Sequence, residues 1–369
     1  MRIVEVTSVR VPMTMVDSLR TSHGTHAGRM VSLVRIVSDS GIVGWGEDVA
    51  PADVNYVGES AAESFGSLGA LASVLCRGEV HPQEMLCDTW WGVEGARYAK
   101  HALESAVWDA EARARGVSLA TLLGGATTEV RPGVVVGLHE TVDDTVRAAV
   151  SRVAEGYGRV KLKIEPGRDI DVVRAVRGAV GPGVVLQVDA NGSYSAGDCE
   201  VLAGLDDLDV QFIEQPFPAD DLESHARLVR TVSTRVCLDE SVITLDDLKR
   251  AVDMGACSVV NIKPSRVGGI SDAVAMHDLV RSLGIDAWVG GMLETGVGRA
   301  SCLALASMPG FTLTPDLSAS SRYFSRDVTE PFVLRQGAIT VPTGPGIGVE
   351  PLPWVFDQPD TSIETLFRA

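Results

Sequence analysis

The 369-residue chain has no CxxC pair, and its six cysteines, Cys76, Cys87, Cys199, Cys237, Cys257 and Cys302, are dispersed. That pattern argues against a disulfide framework and for buried, reduced thiols, so a cytoplasmic protein is expected. No apolar run reaches the roughly 20 residues needed to cross a membrane as a helix. The opening stretch MRIVEVTSVRVPM alternates like a strand and carries no signal-peptide core. Basic residues are scarce: 32 Lys and Arg against 49 Asp and Glu leave a net charge of −17 and a pI near 4.8. That balance suits neither a nucleic-acid surface nor an anionic membrane. Being a whole-surface property, it does not make the substrate a cation. What the chain has in quantity is apolar: 45% hydrophobic and 22% charged residues can build a substantial core. The length suits a large barrel or two domains.

Residues 1–125 read as an α+β unit. RIVEVTSVRVPM and MVSLVRIVSDSGIVGWGED have strand character, with a turn at Ser38 to Gly41. AKHALESAVWDAEARARG is helical: Ala102, Ala106, Asp109 and Arg113 recur on one face, Leu103, Val107 and Ala110 form a neighbouring apolar stripe, and Gly116 is a stop. Residues 126–320 then take up a different rhythm. Apolar runs occur at 133–138, 159–164, 184–191, 210–216, 235–241, 258–264, 286–291 and 311–316, with helix-like segments between them. Eight runs at intervals of about 25 residues suggest a (β/α)8-type barrel. Residues 321–369 contain Pro331, Pro342, Pro345 and Pro351, lack that rhythm, and are expected to return to the first unit.

Polar residues keep the same period. Lys163, Asp189, Glu214, Asp239 and Lys263 close successive runs. In a barrel they fall at the C-terminal strand ends, the face that carries active sites. Any one Asp there reads equally well as a helix cap or turn residue. Five in phase do not read as independent caps. Asp189, Glu214 and Asp239 come from neighbouring strands, so their carboxylates can converge. Unpaired, they would repel; a hard divalent cation removes the conflict, and an all-oxygen set favours Mg²⁺, with Mn²⁺ as substitute. Lys163 and Lys263, from the second and sixth strands, would place one amine on each face of a substrate over the metal. In VKLKI, Lys161 and Lys163 share one strand face, which is expected to be the barrel mouth. Mutual repulsion and desolvation would lower the amine pKa there, with the carboxylates and metal competing. Lys161 also reads simply as a balance for the acidic ligands.

KLK, VDAN, IEQP, LDES and NIKP, in that order, resemble the enolase superfamily in its muconate-lactonizing subgroup. EGYGRVKLKIEPG, VVNIKPSRVGG, GGMLETGVGRA and DVTEPFVL are similar to the branch of o-succinylbenzoate synthases and N-succinyl- or N-acylamino acid racemases. The resemblance implies a (β/α)7β (modified TIM) barrel under an α+β capping domain. It implies Mg²⁺-dependent removal of a proton α to a carboxylate, with Mg²⁺ stabilising the enediolate. Lys163 and Lys263 would be the acid/base pair, Asp189, Glu214 and Asp239 the metal ligands, and Lys161, Asn191 and Arg266 supporting residues. Arg266 also reads as a loop residue after the sixth strand. In the dehydration Lys163 would be the base and Lys263 a supporting cation. The partners expected are a small carboxylate substrate and further copies of this chain.

The sequence also departs from the family pattern. Val135 stands where a serine is expected, His139 where an apolar residue is common, His23 in place of an aromatic, and His101 in place of a small residue. A single histidine of this kind is more often structural than a ligand. Residues 18–27 and 50–58 are expected to form a lid that sets specificity with Arg20, His23, Val135, His139, Met292 and Leu293. Sibling activities, a dipeptide epimerase or a muconate-type cycloisomerase, share the same machinery. A metal- or carboxylate-binding barrel without catalysis is the reading from another class.

Overall fold

The alternation in the first 38 residues becomes a hairpin. In the computed structural model, which describes residues 1–21 and 24–369, β1 (Ile3–Thr21) pairs antiparallel with β2 (Gly24–Ser38). β2 turns at 38–42 into β3 (Val43–Asp48), and β13 (Ser362–Arg368) adds outside β1, giving the order β13-β1-β2-β3. The described part of 18–27, one of the two segments expected to form a lid, lies in these hairpin strands. Helices α1 (Ala61–Leu75) and α2 (Arg97–Ala114) pack against this sheet. Gly44 and Gly46 let α2 approach β3: a Cβ there would lie 2.1 Å from the Ala106 carbonyl oxygen and 2.0 Å from that of Ala102. After α2 the chain reverses at Gly116, whose φ of +67° suits glycine.

A short helix α3 (Leu119–Leu122) leads to β4 (Glu129–Val130), which pairs with β12 (Ile339–Thr340) from the C-terminal segment. Seven parallel strands follow: β5 (Val134–Val136), β6 (Arg159–Lys163), β7 (Val185–Asp189), β8 (Val210–Glu214), β9 (Arg235–Leu238), β10 (Val259–Ile262) and β11 (Asp286–Val289). Each pairs with the next in sequence. Between them run α4 (Val142–Ala154), α5 (Ile170–Val180), α6 (Cys199–Leu202), α7 (Leu222–Thr231), α8 (Leu245–Asp253), α9 (Pro264–Val267) and α10 (Ile270–Ser282). After β11 comes α11 (Gly296–Ala306), and α12 (Trp354–Asp357) lies near the C-terminus. The eighth expected strand is not a regular strand. Residues 311–316 still bridge the gap: Thr312 N and Asp316 N donate to the carbonyls of Ala287 and Val289, and Gly133 N donates to that of Pro315. Proline has no N–H, so Pro315 cannot donate and a regular ladder fails there. The architecture is a (β/α)7β barrel with an α+β cap.

Cap and barrel share their helix ends. α4, α5, α7 and α8 carry side-chain caps from Thr141, Asp169, Asp221 and Thr244. α10 and α11 have no cap of their own. Instead Glu104 of α2 accepts from Ile270 N (2.9 Å) and Ser271 N (2.8 Å), and Glu47 of β3 accepts from Thr295 N (2.9 Å) and Gly298 N (2.7 Å). These carboxylates satisfy free helix N–H groups across the domain boundary and complement the helix dipoles. No helix among the described residues is long and apolar enough to cross a membrane.

Candidate active site

Lys163, Asp189 and Glu214 are the final residues of β6, β7 and β8 and stand in register: Lys163 opposite Asp189, and Asp189 opposite Glu214. Asp239 and Lys263 directly follow β9 and β10. The sequence period therefore becomes one ring at the C-terminal rim. Three strands separate β6 from β10, so Lys163 and Lys263 stand on different walls. Lys161, Asp189, Glu214, Asp239, Lys263 and Arg266 are buried, and the Lys163 side chain is 10% exposed.

The three carboxylates are not unpaired, which corrects the repulsion argument made from the sequence. Lys161 Nζ lies 2.8 Å from Glu214 Oε2 and 3.2 Å from Asp189 Oδ2. Lys163 Nζ donates to Asp189 Oδ2 at 2.7 Å and to Asn191. Asp239 takes Lys263 Nζ at 2.8 Å and Arg266 Nη1. Among the described residues no three acidic, His or Cys side chains already form a group that could hold a metal. The donor chemistry still fits a hard divalent cation: three buried, all-oxygen carboxylates at neighbouring strand ends.

At Lys161 the expected lowering of the amine pKa is reversed. Burial pulls Lys161 down, but Asp316, Glu214 and Asp189 together outweigh it and hold the ammonium above its ordinary range. At Lys263 burial is likewise outweighed, by Tyr56, Glu214 and Glu240. Burial pushes the Glu214 carboxyl up, reinforced by Asp189, while Lys163 and Lys161 overcome burial at Asp189 and hold it low. The cause is the number of acids around each lysine, which residue spacing alone did not count.

The supporting residues converge as well. Asn191, at φ +44°, bridges Lys163 and Glu240. Arg266 is fully buried and donates to the carbonyls of Val242 and Asn261, so it is not a surface loop residue. Val135, Met292 and Leu293 line the cavity with Lys163 and Lys263. His139 lines an adjoining cleft that shares Lys163, and burial lowers its pKa. Arg20 has an exposed side chain outside the cavity lining and offers its carbonyl to Leu138 N. His23 lies outside the described residues. His101 is buried inside α2, and burial pushes it down to about 3, so it is a neutral core residue.

Three site residues escaped the sequence reading. Asp316 accepts from Lys161 Nζ at 2.5 Å and pairs with Arg159. It ends the eighth apolar run, so the period pointed to it. Asn261 donates to Glu214 Oε1 at 2.7 Å. Tyr56, from the cap, hydrogen-bonds Asp239 at 3.0 Å and Lys263 at 2.7 Å, and its ring lies under the ammonium at 4.7 Å. No local pattern marks it, because its partners are about 200 residues away in the chain.

Comparison with known proteins gives a consistent family. Residues 3–124 match the N-terminal domain of mandelate racemase and muconate lactonizing enzyme, and residues 144–354 match the enolase C-terminal domain-like family. An N-succinylamino acid racemase from Amycolatopsis is 44% identical, with 96% of each chain aligned. An o-succinylbenzoate synthase from Bacillus subtilis is 41% identical over 94% of this chain and 93% of its own. The crystal structure of an enolase superfamily member from Listeria innocua superposes with a TM-score of 0.93 at 34% identity, covering 99% of this chain and 100% of the other. With both domain matches and these relatives aligned over nearly the whole chain, the chain belongs to the mandelate racemase and muconate lactonizing enzyme family of the enolase superfamily.

Proposed function

We propose that the chain removes a proton α to a carboxylate, acting as an N-succinylamino acid racemase, an o-succinylbenzoate synthase, or both. The observation that carries this reading is the placement of Lys163 and Lys263 on different walls, with Asp189, Glu214 and Asp239 between them. Relatives bearing both names align over nearly the whole chain. Superfamily members bind a divalent metal; here Asp189, Glu214 and Asp239 would hold Mg²⁺. Bound, the cation would supply positive charge to offset the negative charge that develops on the substrate carboxylate.

The chain's own residues do the rest. Lys161, Lys163, Lys263, Arg159 and Arg266 face Asp189, Glu214, Asp239, Glu240 and Asp316, five charges of each sign. A divalent cation leaves such a site positive, and a carboxylate substrate offsets part of that charge. Lys263, held as an ammonium, is set to give a proton or to support developing negative charge. Lys163 addresses the other face. Asn191 fixes the Lys163 amine, and Arg266 fixes Asp239 from behind. The cap, through Tyr56, closes the rim against water.

The test is an assay of N-succinylamino acid racemisation and of o-succinylbenzoate formation, with and without chelator. Turnover of at least one, lost on chelation and restored by Mg²⁺ or Mn²⁺, is expected. Full activity in a metal-free preparation would overturn the metal assignment; no α-proton exchange on any carboxylate offered would overturn the reaction class.

A further inference from the structure

Arg29 lies on β2 in the cap, away from every strand-end residue, yet it lines the same cavity as Lys163 and Lys263. Its guanidinium holds two segments that are remote in sequence. Nη1 donates to the carbonyls of Met292 and Leu293, and Nη2 to those of Val49 and Ala50 (3.2 Å for Ala50). The first pair belongs to the loop after β11, the second to the entry of the cap segment that carries Tyr56. Lysine offers one nitrogen where arginine offers a planar fork, so only arginine can hold both pairs at once.

The barrel side of this tie is strained. Leu293 has φ +59°, a left-handed conformation that a branched side chain rarely adopts. Such a conformation persists only where its surroundings over-determine it. Here Arg29 holds the carbonyls of Met292 and Leu293, and Glu294 Oε1 accepts from Met292 N at 2.6 Å. Met292 in turn packs with Val49, Ala50 and Tyr98 of the cap. The result is a cavity wall of Pro51, Ala52, Met292 and Leu293, apolar but flanked by Arg29 and Asp53. A wall of that kind meets the part of the substrate that does not react.

Resting on the proton-abstraction reading above, we infer that Arg29 is a positioning residue for specificity: it sets the Met292–Leu293 turn against the cap and so shapes the wall that receives the substrate's acyl group. Arg29 takes no part in proton transfer. Its removal therefore acts on binding of the substrate's remote part and not on the chemical step.

The experiment compares Arg29→Lys and Arg29→Met with the wild type on N-acylamino acids of increasing acyl length. For Arg29→Lys the expected result is a KM raised roughly tenfold, with kcat within about threefold of the wild type, and an altered preference among acyl groups. Mn²⁺ affinity should not change. In a Leu293→Gly background, where the left-handed turn carries no strain, Arg29→Lys should cost less than about half of that factor. Arg29→Lys keeps the charge and carries the test if Arg29→Met does not fold. A lower melting temperature with unchanged KM and acyl preference would make Arg29 merely structural and overturn the inference, as would full multiplication of the two substitutions' effects. A wild type that neither binds nor exchanges N-acylamino acids would instead overturn the functional reading, and this inference with it.

Discussion

Lys161 is buried against Asp189, Glu214 and Asp316, and its ammonium lies 4.8 Å from the centre of the Trp288 ring. Removing it leaves three buried carboxylates short of a cation. Breaking a buried ion pair from one side costs about 3–5 kcal/mol, so Lys161→Met should lower the urea midpoint of unfolding strongly, and added Mg²⁺ should recover part of the loss. An unchanged midpoint would contradict the placement of Lys161 as the central counter-charge. Single residues also show what the sequence could and could not disclose. Lys163, Asp189, Glu214, Asp239 and Lys263 were legible because each ends its own strand, and strand ends recur locally. Tyr56 and Arg29 were not, since their partners arrive from distant parts of the chain. The pairing state of the carboxylates was not legible either, because four cations from two different segments meet them only in the fold.

Among the elements, the closeness of α2 to β3 is the most constrained feature. A methyl group at position 46 would meet the Ser105 hydroxyl and the Ala102 carbonyl, and the carbonyl cannot retreat without moving the helix. Gly46→Ala should therefore destabilise by about 1–3 kcal/mol or more, read as a lower melting temperature; wild-type stability would show that the helix is free to shift. The alternation of β1 and β2 and the apolar stripe of α2 were visible in the residue pattern. The irregular eighth strand was not, although Pro315 offered a physical reason to doubt it. The expected lid loop at 18–27 proved to be mostly hairpin, because β1 and β2 resume pairing at Leu19 after a register shift beyond Thr14.

For the whole molecule, buried acids tie the cap to the barrel (Glu47, Glu104 and Asp272) and hold the cap and C-terminal segment together (Asp48 and Asp109). Burial pushes Glu47 and Glu104 up to about 7, and Asp48, Asp109 and Asp272 up to about 6, against the pull of their hydrogen bonds. Each folded pKa lies above its unfolded value, so the folded state keeps protons that the unfolded chain has released. Their contribution is fully present below about pH 4 and is lost as pH rises through 6 to 7. Melting temperature should therefore fall between pH 5 and pH 8; a rise across that window would contradict the account of these buried acids.

The central claim is that Lys163 and Lys263 address two faces of one α-carbon. The most direct measurement is NMR of α-proton exchange in D₂O, on each enantiomer of a racemisable N-succinylamino acid, with wild type, Lys163→Ala and Lys263→Ala. Wild type should exchange both enantiomers. Each variant should lose racemisation by about 10²-fold or more, and any exchange that remains is expected only for the enantiomer that the remaining lysine faces. Racemisation at the wild-type rate by either variant, folded and metal-loaded, would contradict the account.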